Sequence, residues 1–243
     1  MGMLRKVIKG ITDIIYPKVC LACKSKLDDS SIGELICAQC WGKTKRNLPP
    51  FCHSCGRRLE KKNFTKHICP ACARQKLNFD RAFSPFTYEG PVKELIHQFK
   101  YKNKDHLGQF LSKPMISFIK EYSLPINDMD IIVPIPLHKA KLREREFNQA
   151  QVLSAHIAKE FNKEILNDAL CRHRSTKTQT ELEVSERFSN VMDSFRVEKA
   201  EAVKGKNLLL VDDVLTTGAT ASEAAQALKN AGANIVFVLT LAN

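Results

Sequence analysis

Apolar positions change their spacing after residue 79. From there on, helical and strand patterns alternate. Val92, Leu95, Ile96 and Phe99 fall on one face at 3.6-residue spacing and predict a helix. A second helical stretch runs from about Leu107 to Tyr122, and Pro114 within it should bend or split it. Ile131-Ile132-Val133 reads as a short buried strand ended by Pro134-Ile135-Pro136. Asn148 to Phe161 is helical, with Leu153, Ile157 and Phe161 on one face. Leu208 to Val211 is a continuous apolar strand, Thr220 to Asn230 an alanine-rich helix closed by Gly232, and Ile235 to Leu241 a final strand. This alternation predicts an α/β fold. Its parallel sheet carries helices on both faces and binds ligands at the carboxyl ends of the strands.

Residues 1–79 lack that texture. Met1 to Ile15 places Leu4, Val7, Ile8 and Ile11 at helical spacing, but Arg5, Lys6 and Lys9 interrupt it. A signal peptide needs a continuous apolar region, so the expectation is a short helix packed on the protein, with a membrane-surface helix as the alternative. No apolar run reaches the ~18 residues of a membrane span. Eight of the nine cysteines lie between positions 20 and 72, as C-x-x-C pairs at Cys20/Cys23, Cys37/Cys40, Cys52/Cys55 and Cys69/Cys72. Adding 32 to the first four positions reproduces the last four, so one unit is repeated.

Two cysteines three apart put both sulfurs on one cation, and a second pair completes a tetrahedron with no open position. The repeat therefore predicts two structural Zn²⁺ sites, grouped in sequence order because that keeps the closed loops short. Redox-active C-x-x-C chemistry is the competing reading, and two matched sets of four argue against it. His53 and His67 flank complete ligand sets as bystanders, Trp41 is expected to pack on its ribbon, and Cys171 to be a packed thiol. The chain thus divides into an N-terminal helix with a double zinc ribbon (1–79) and an α/β domain (80–243).

Charge follows the same division. The net charge is +12, and residues 1–80 hold 16 Lys and Arg against 6 Asp and Glu. This region, with Lys43, Lys45, Arg46, Arg57, Arg58, Lys61 and Lys62, can attract a polyanion such as single-stranded DNA. Phe51, Phe64 and Trp41 would then stack on bases; alternatively they fill the ribbon interiors.

The richest chemistry follows the strand at 208–211. Asp212 and Asp213 stand at its carboxyl end, then Thr216-Thr217-Gly218-Ala219-Thr220 leads into a helix. Small residues let backbone N–H groups and threonine hydroxyls close around a phosphate at a helix N-terminus. The adjacent carboxylates suit two ribose hydroxyls or a divalent cation.

Val211 to Thr220 resembles the phosphoribosyl-pyrophosphate (PRPP) loop of type I phosphoribosyltransferases. Ile15-Tyr16-Pro17, the cysteine module, Phe99-Lys100-Tyr101, Val133-Pro134-Ile135-Pro136, Arg145-Glu146-Phe147-Asn148-Gln149 and Thr178-Gln179-Thr180 with Leu182, Arg187 and Asn190 narrow the resemblance to the ComF family, which includes the GntX-like proteins. It implies a type I phosphoribosyltransferase fold and a cytoplasmic, competence-associated protein that handles incoming single-stranded DNA alongside the DNA-uptake machinery. An active phosphoribosyltransferase in nucleotide or base salvage is the alternative. It also implies that Asp212 and Asp213 hold the ribose of PRPP, that Thr216 to Thr220 hold its 5′-phosphate, and that Mg²⁺ accompanies the pyrophosphate. Arg145, Asn148, Gln149, Thr178, Gln179 and Arg187 would come from flanking loops; Lys100 either contacts phosphate or lies on a solvated face. Glu146 replaces the family's usual glycine, which matters if that position needs φ > 0.

Overall fold

In the computed structural model, residues 18–60, 66–101, 104–174 and 186–243 are described, and their centre is a five-stranded parallel sheet. In chain order its strands are β1 (Arg81–Phe83), β2 (Ile131–Pro134), β3 (Glu164–Ile165), β6 (Asn207–Val214) and β7 (Ile235–Ala242), arranged β1-β7-β6-β2-β3. The two long strands lie at the middle, with Leu209 opposite Phe237 and Val211 opposite Leu239. Their apolar runs bury residues on both faces. Leu209, Val211, Leu239 and Leu241 join one core; Leu208, Leu210, Val236 and Val238 join the other.

The first core is covered by α3 (Gly90–Phe99), α4 (Lys104–Glu121) and α6 (Gln149–Phe161). The face Val92, Leu95, Ile96 and Phe99 is buried as its spacing requires. Pro114 does not split α4, which runs unbroken for 18 residues. Phe110, Leu111, Met115, Phe118 and Ile119 are buried on either side of the proline, and that packing outweighs one missing hydrogen bond. The second core is covered by α9 (Ala219–Asn230), whose Ala221, Ala224, Ala225 and Leu228 face it. Beside α9 lies a two-stranded antiparallel flap, β4 (Leu170–Arg172) with β5 (Phe195–Val197), and α7 (Glu186–Val191) falls between the two strands in sequence. Sequence periodicity misses these three-residue strands.

Among their described residues the ribbons carry the short helices α1 (Ala38–Gly42) and α2 (Pro70–Arg74). They join different cores. Cys20, Leu35, Ile36 and Cys40 pack with α4 and α6, whereas Cys52, Cys55, Leu59 and Cys69 pack on the α9 side. Between them, residues 45–47 pair with 85–87 through Asn47 N–H to Pro85 O at 2.8 Å and Thr87 N–H to Lys45 O at 3.0 Å. The N-terminal apolar stretch, Ile15-Tyr16-Pro17, Lys61, Lys62 and Phe64 lie outside the described residues.

Candidate functional site

Cys20, Cys23, Cys37 and Cys40 form one sulfur cluster and Cys52, Cys55, Cys69 and Cys72 another, each with its ligand atoms within 4.8 Å of one another. The grouping is the sequential one. Thiolates at ~2.3 Å from a zinc ion define a tetrahedron with edges of about 3.8 Å. The sulfurs of Cys23 and Cys37 are 3.9 Å apart, and those of Cys55 and Cys69 3.7 Å. Backbone amides reinforce both sets: Cys37 donates to Cys20 Sγ and Cys69 to Cys52 Sγ, each at 3.4 Å. The second set competes internally for charge. Hydrogen bonds from Cys55 and Cys72 pull the Cys52 thiol down, while the bond to Cys52 pushes Cys55 up. A divalent cation removes that conflict by taking all four as thiolates. Both donor sets fit structural zinc.

His53 and His67 stack on each other, ring centres 5.0 Å apart, outside the sulfur cluster. Trp41 packs against the cluster that holds Cys20, Leu35, Ile36 and Cys40 of its own ribbon, and also meets Phe86 and Phe110 edge-on at 5.9 and 5.4 Å. Phe51 is engaged likewise with Phe118 and Tyr122. The basic link is partly paired with the α/β region: Lys45 with Glu89 at 3.1 Å and Arg46 with Glu121.

Asp212 and Asp213 sit near the carboxyl end of β6, Asp212 in register with Thr240, beside the Pro134-Ile135-Pro136 turn, where Ile135 N–H donates to Val211 O at 3.0 Å. The Asp213 N–H donates to Asp212 Oδ1 at 2.8 Å. Burial pushes the Asp212 carboxyl up to about 8, the Asp213 charge adds to the rise, and Lys100 and Arg172 oppose it. Lys100, capping α3, reaches Asp213 Oδ2 at 3.2 Å. Burial pulls its ammonium down, but Asp213 and Tyr88 more than offset that and hold it above the usual range. Lys100 is therefore half-enclosed beside Asp213 and not on a solvated face.

Lys141 lies on α5 (Lys139–Arg145). Burial lowers its ammonium, with Arg145 and Arg172 adding repulsion. Arg172 of β4 is lowered by burial and feels both Asp212 and Arg145. Four cations thus crowd two acids, an excess suited to a polyanion. Neither Lys141 nor Arg172 carries a local motif that marks it; only the flap and α5 bring them to the strand ends.

Asn148 and Gln149 are 4% and 2% exposed, and both are engaged inside the protein. Asn148 caps α6 by accepting from Ala150 N–H at 3.1 Å and donates to Ile135 O at 2.9 Å, tying helix to turn. Gln149 accepts from Arg145 at 3.2 Å and donates to Lys100 O at 3.4 Å. They position the cations. Glu146 ends α5 with φ +65°, so the position does need the left-handed backbone, and the glutamate adopts it.

At the loop leading into α9, Gly218 caps that helix with φ +81°. The amides of Thr216, Thr217 and Gly218 donate to no protein acceptor among the described residues, and Ala219 N–H meets Thr217 Oγ1 at a long 3.4 Å. Successive free N–H groups at a helix N-terminus form an anion-binding nest. Arg187 of α7 lines the adjoining cleft with Thr216 and Thr217. Thr178 and Gln179 lie outside the described residues. Cys171 is half-buried in β4.

Comparison with known proteins agrees with this layout. Residues 11–76 match the double zinc ribbon domain and residues 148–243 the phosphoribosyl transferase domain. The chain is 29% identical over 230 residues to the DNA utilization protein YhgH of Escherichia coli, spanning 94% of this chain and 98% of that one. It is 28% identical to Competence protein F of Haemophilus influenzae (92% and 96% covered) and to Competence protein ComFC of Bacillus subtilis (90% and 91%). With its two domains in this order and these relatives along nearly its whole length, the chain resembles the ComF family.

Proposed function

We propose that the α/β domain binds PRPP and that the protein acts in the cytoplasm on incoming single-stranded DNA during natural transformation. The three unengaged amides beside the paired acids carry the first part. In this reading Thr216 to Thr220 take the 5′-phosphate, Asp212 and Asp213 the ribose hydroxyls, and Lys100, Lys141, Arg145 and Arg172 face the pyrophosphate. Mg²⁺ supplies charge neutralisation there, and the two aspartates are the carboxylates available to hold it. Calorimetry should find PRPP binding that strengthens with Mg²⁺ and disappears in Asp212→Ala/Asp213→Ala. Unchanged affinity in that double variant would refute the site.

The DNA part rests on the basic first third and on relatives named for DNA utilization and competence. Affinity for a labelled oligonucleotide should fall with salt, with a slope of roughly −0.7 per phosphate contacted. The cation cluster also suits turnover in nucleotide or base salvage. There the C1–oxygen bond of PRPP breaks, a nitrogen of the acceptor bonds to C1, and pyrophosphate leaves with the electron pair. Pyrophosphate release, assayed with and without candidate bases, separates a binding protein from an enzyme.

A further inference from the structure

Arg57 belongs to the second ribbon, yet its Nη2 donates to Thr216 O at 3.1 Å across 159 positions of sequence. Its backbone is anchored on several sides. Arg57 O accepts from Cys52 N–H at 2.7 Å, Gly56 O accepts from Asn47 Nδ2 at 2.8 Å, and Cys55 O accepts from Asn243 Nδ2 at 3.3 Å. Gly56 has φ +69°, and a Cβ there would lie 2.2 Å from Ala82 O, so the knuckle rests directly on β1. A planar trans peptide points its C=O and N–H in opposite directions. With Thr216 O held toward the ribbon, the Thr217 N–H is aimed away from it, on the side open to an anion. The loop's other flank is set by Leu77, whose Cδ2 lies 3.3 Å from where a Gly218 Cβ would stand. At the matching place in the first ribbon stands Ser25, whose hydroxyl accepts from Cys23 Sγ.

We propose that Arg57 is a positioning residue for the phosphate loop, so that the metal-bound second ribbon presets the loop for its anion. The consequence for PRPP rests on the PRPP reading above; the presetting itself does not. Arg57→Gln removes the charge and shortens the reach while leaving all eight cysteines. In the ligand-free protein, the backbone NMR order parameters of Thr217 and Gly218 should fall from the rigid range of ~0.85 to below ~0.6. Affinity for PRPP should weaken about tenfold, the loss of one charge-assisted hydrogen bond, with two zinc ions retained.

Unchanged order parameters in the variant overturn the proposal. If affinity falls while the order parameters stay fixed, Arg57 touches the ligand and does not position the loop, which also overturns it. If the wild type binds no PRPP but the order parameters still fall in the variant, the PRPP reading fails and the positioning role stands. Should Arg57→Gln lose zinc, Arg57→Lys is compared in the same assay, with the same outcomes deciding.

Discussion

The two ribbons are superposable in their bonding and different in what they do for the rest of the protein. Cys20 N–H to Ser25 O matches Cys52 N–H to Arg57 O, and Leu27 N–H to Lys18 O matches Leu59 N–H to Pro50 O, each shifted by 32. The Val19–Lys26 bridge likewise matches Phe51–Arg58. The first ribbon then docks on α4 through Trp41, in the core away from the phosphate loop. The second lies on β1 and holds Thr216. The metal ligands repeat because both units need zinc to fold. The residues between them diverge because each unit meets a different surface.

Breaking each metal site tests this contrast most strongly. Zinc binding supplies on the order of 10–16 kcal/mol toward folding of such a unit. Cys20→Ser and Cys52→Ser should each lower bound zinc from two to one and lower Tm substantially. Only Cys52→Ser should also lower the backbone order parameters of Thr217 and Gly218. Equal loosening of the loop in both variants would mean that the ribbons act as one body.

Gly56→Ala probes the docking surface with the metal site intact. A Cβ that meets the Ala82 carbonyl at 2.2 Å must move the knuckle off β1, and φ +69° adds strain. The expected loss is about 3 kcal/mol in denaturant unfolding, in the range of overpacking a rigid contact. Zinc content should hold at two and PRPP binding should weaken. A variant as stable as the wild type would show that the ribbon does not bear on the strand there.

How much of this was legible beforehand depended on whether a feature is local. The cysteine repeat, the 208–211 strand and the acid–threonine loop each declare themselves within a few residues, and so do the four long helices α3, α4, α6 and α9. Docking is not local. Trp41 looks like a ribbon residue until Phe86 and Phe110 are in place. Arg57 looks like one of many surface cations until the fold brings Thr216 to it. Arg172 lies in a three-residue strand that carries no periodicity, and Pro114 misleads because buried neighbours outweigh its local preference. Glu146 is the reverse case: a left-handed position inferred from a missing glycine and occupied without one.

A defect made inside the loop's own acid pair gives the standard against which ribbon effects are read. Asp212→Asn should remove PRPP binding without touching zinc. It should also change the pH dependence of stability. The folded carboxyl titrates at about 8, well above the ~3.9 of an unfolded aspartate. Between those values the folded state holds a proton that the unfolded state has given up, so wild-type stability falls as pH rises through the window. The asparagine lacks this slope, so its gain in Tm over the wild type should be larger at pH 8 than at pH 5. Equal gains at both would remove Asp212 as the titrating group.

The smallest effect is expected at Lys24, the position matching Gly56 in the first ribbon. It shares the left-handed backbone, φ +65° against +69°. A lysine is tolerated because the knuckle is exposed, and its Nζ turns back to Leu21 O at 2.8 Å. Lys24→Gly relieves roughly 1 kcal/mol of left-handed strain. It also loses an exposed hydrogen bond and adds freedom to the unfolded chain, worth about 0.4–1 kcal/mol in the other direction. The net change should be within about 0.5 kcal/mol, with loop order parameters and zinc content as in the wild type. Glycine is thus optional where the knuckle faces water and required where it faces β1. A loss at Lys24→Gly as large as that of Gly56→Ala would mean that the first knuckle also bears on a partner surface, and the two ribbons would then differ less than their contacts indicate.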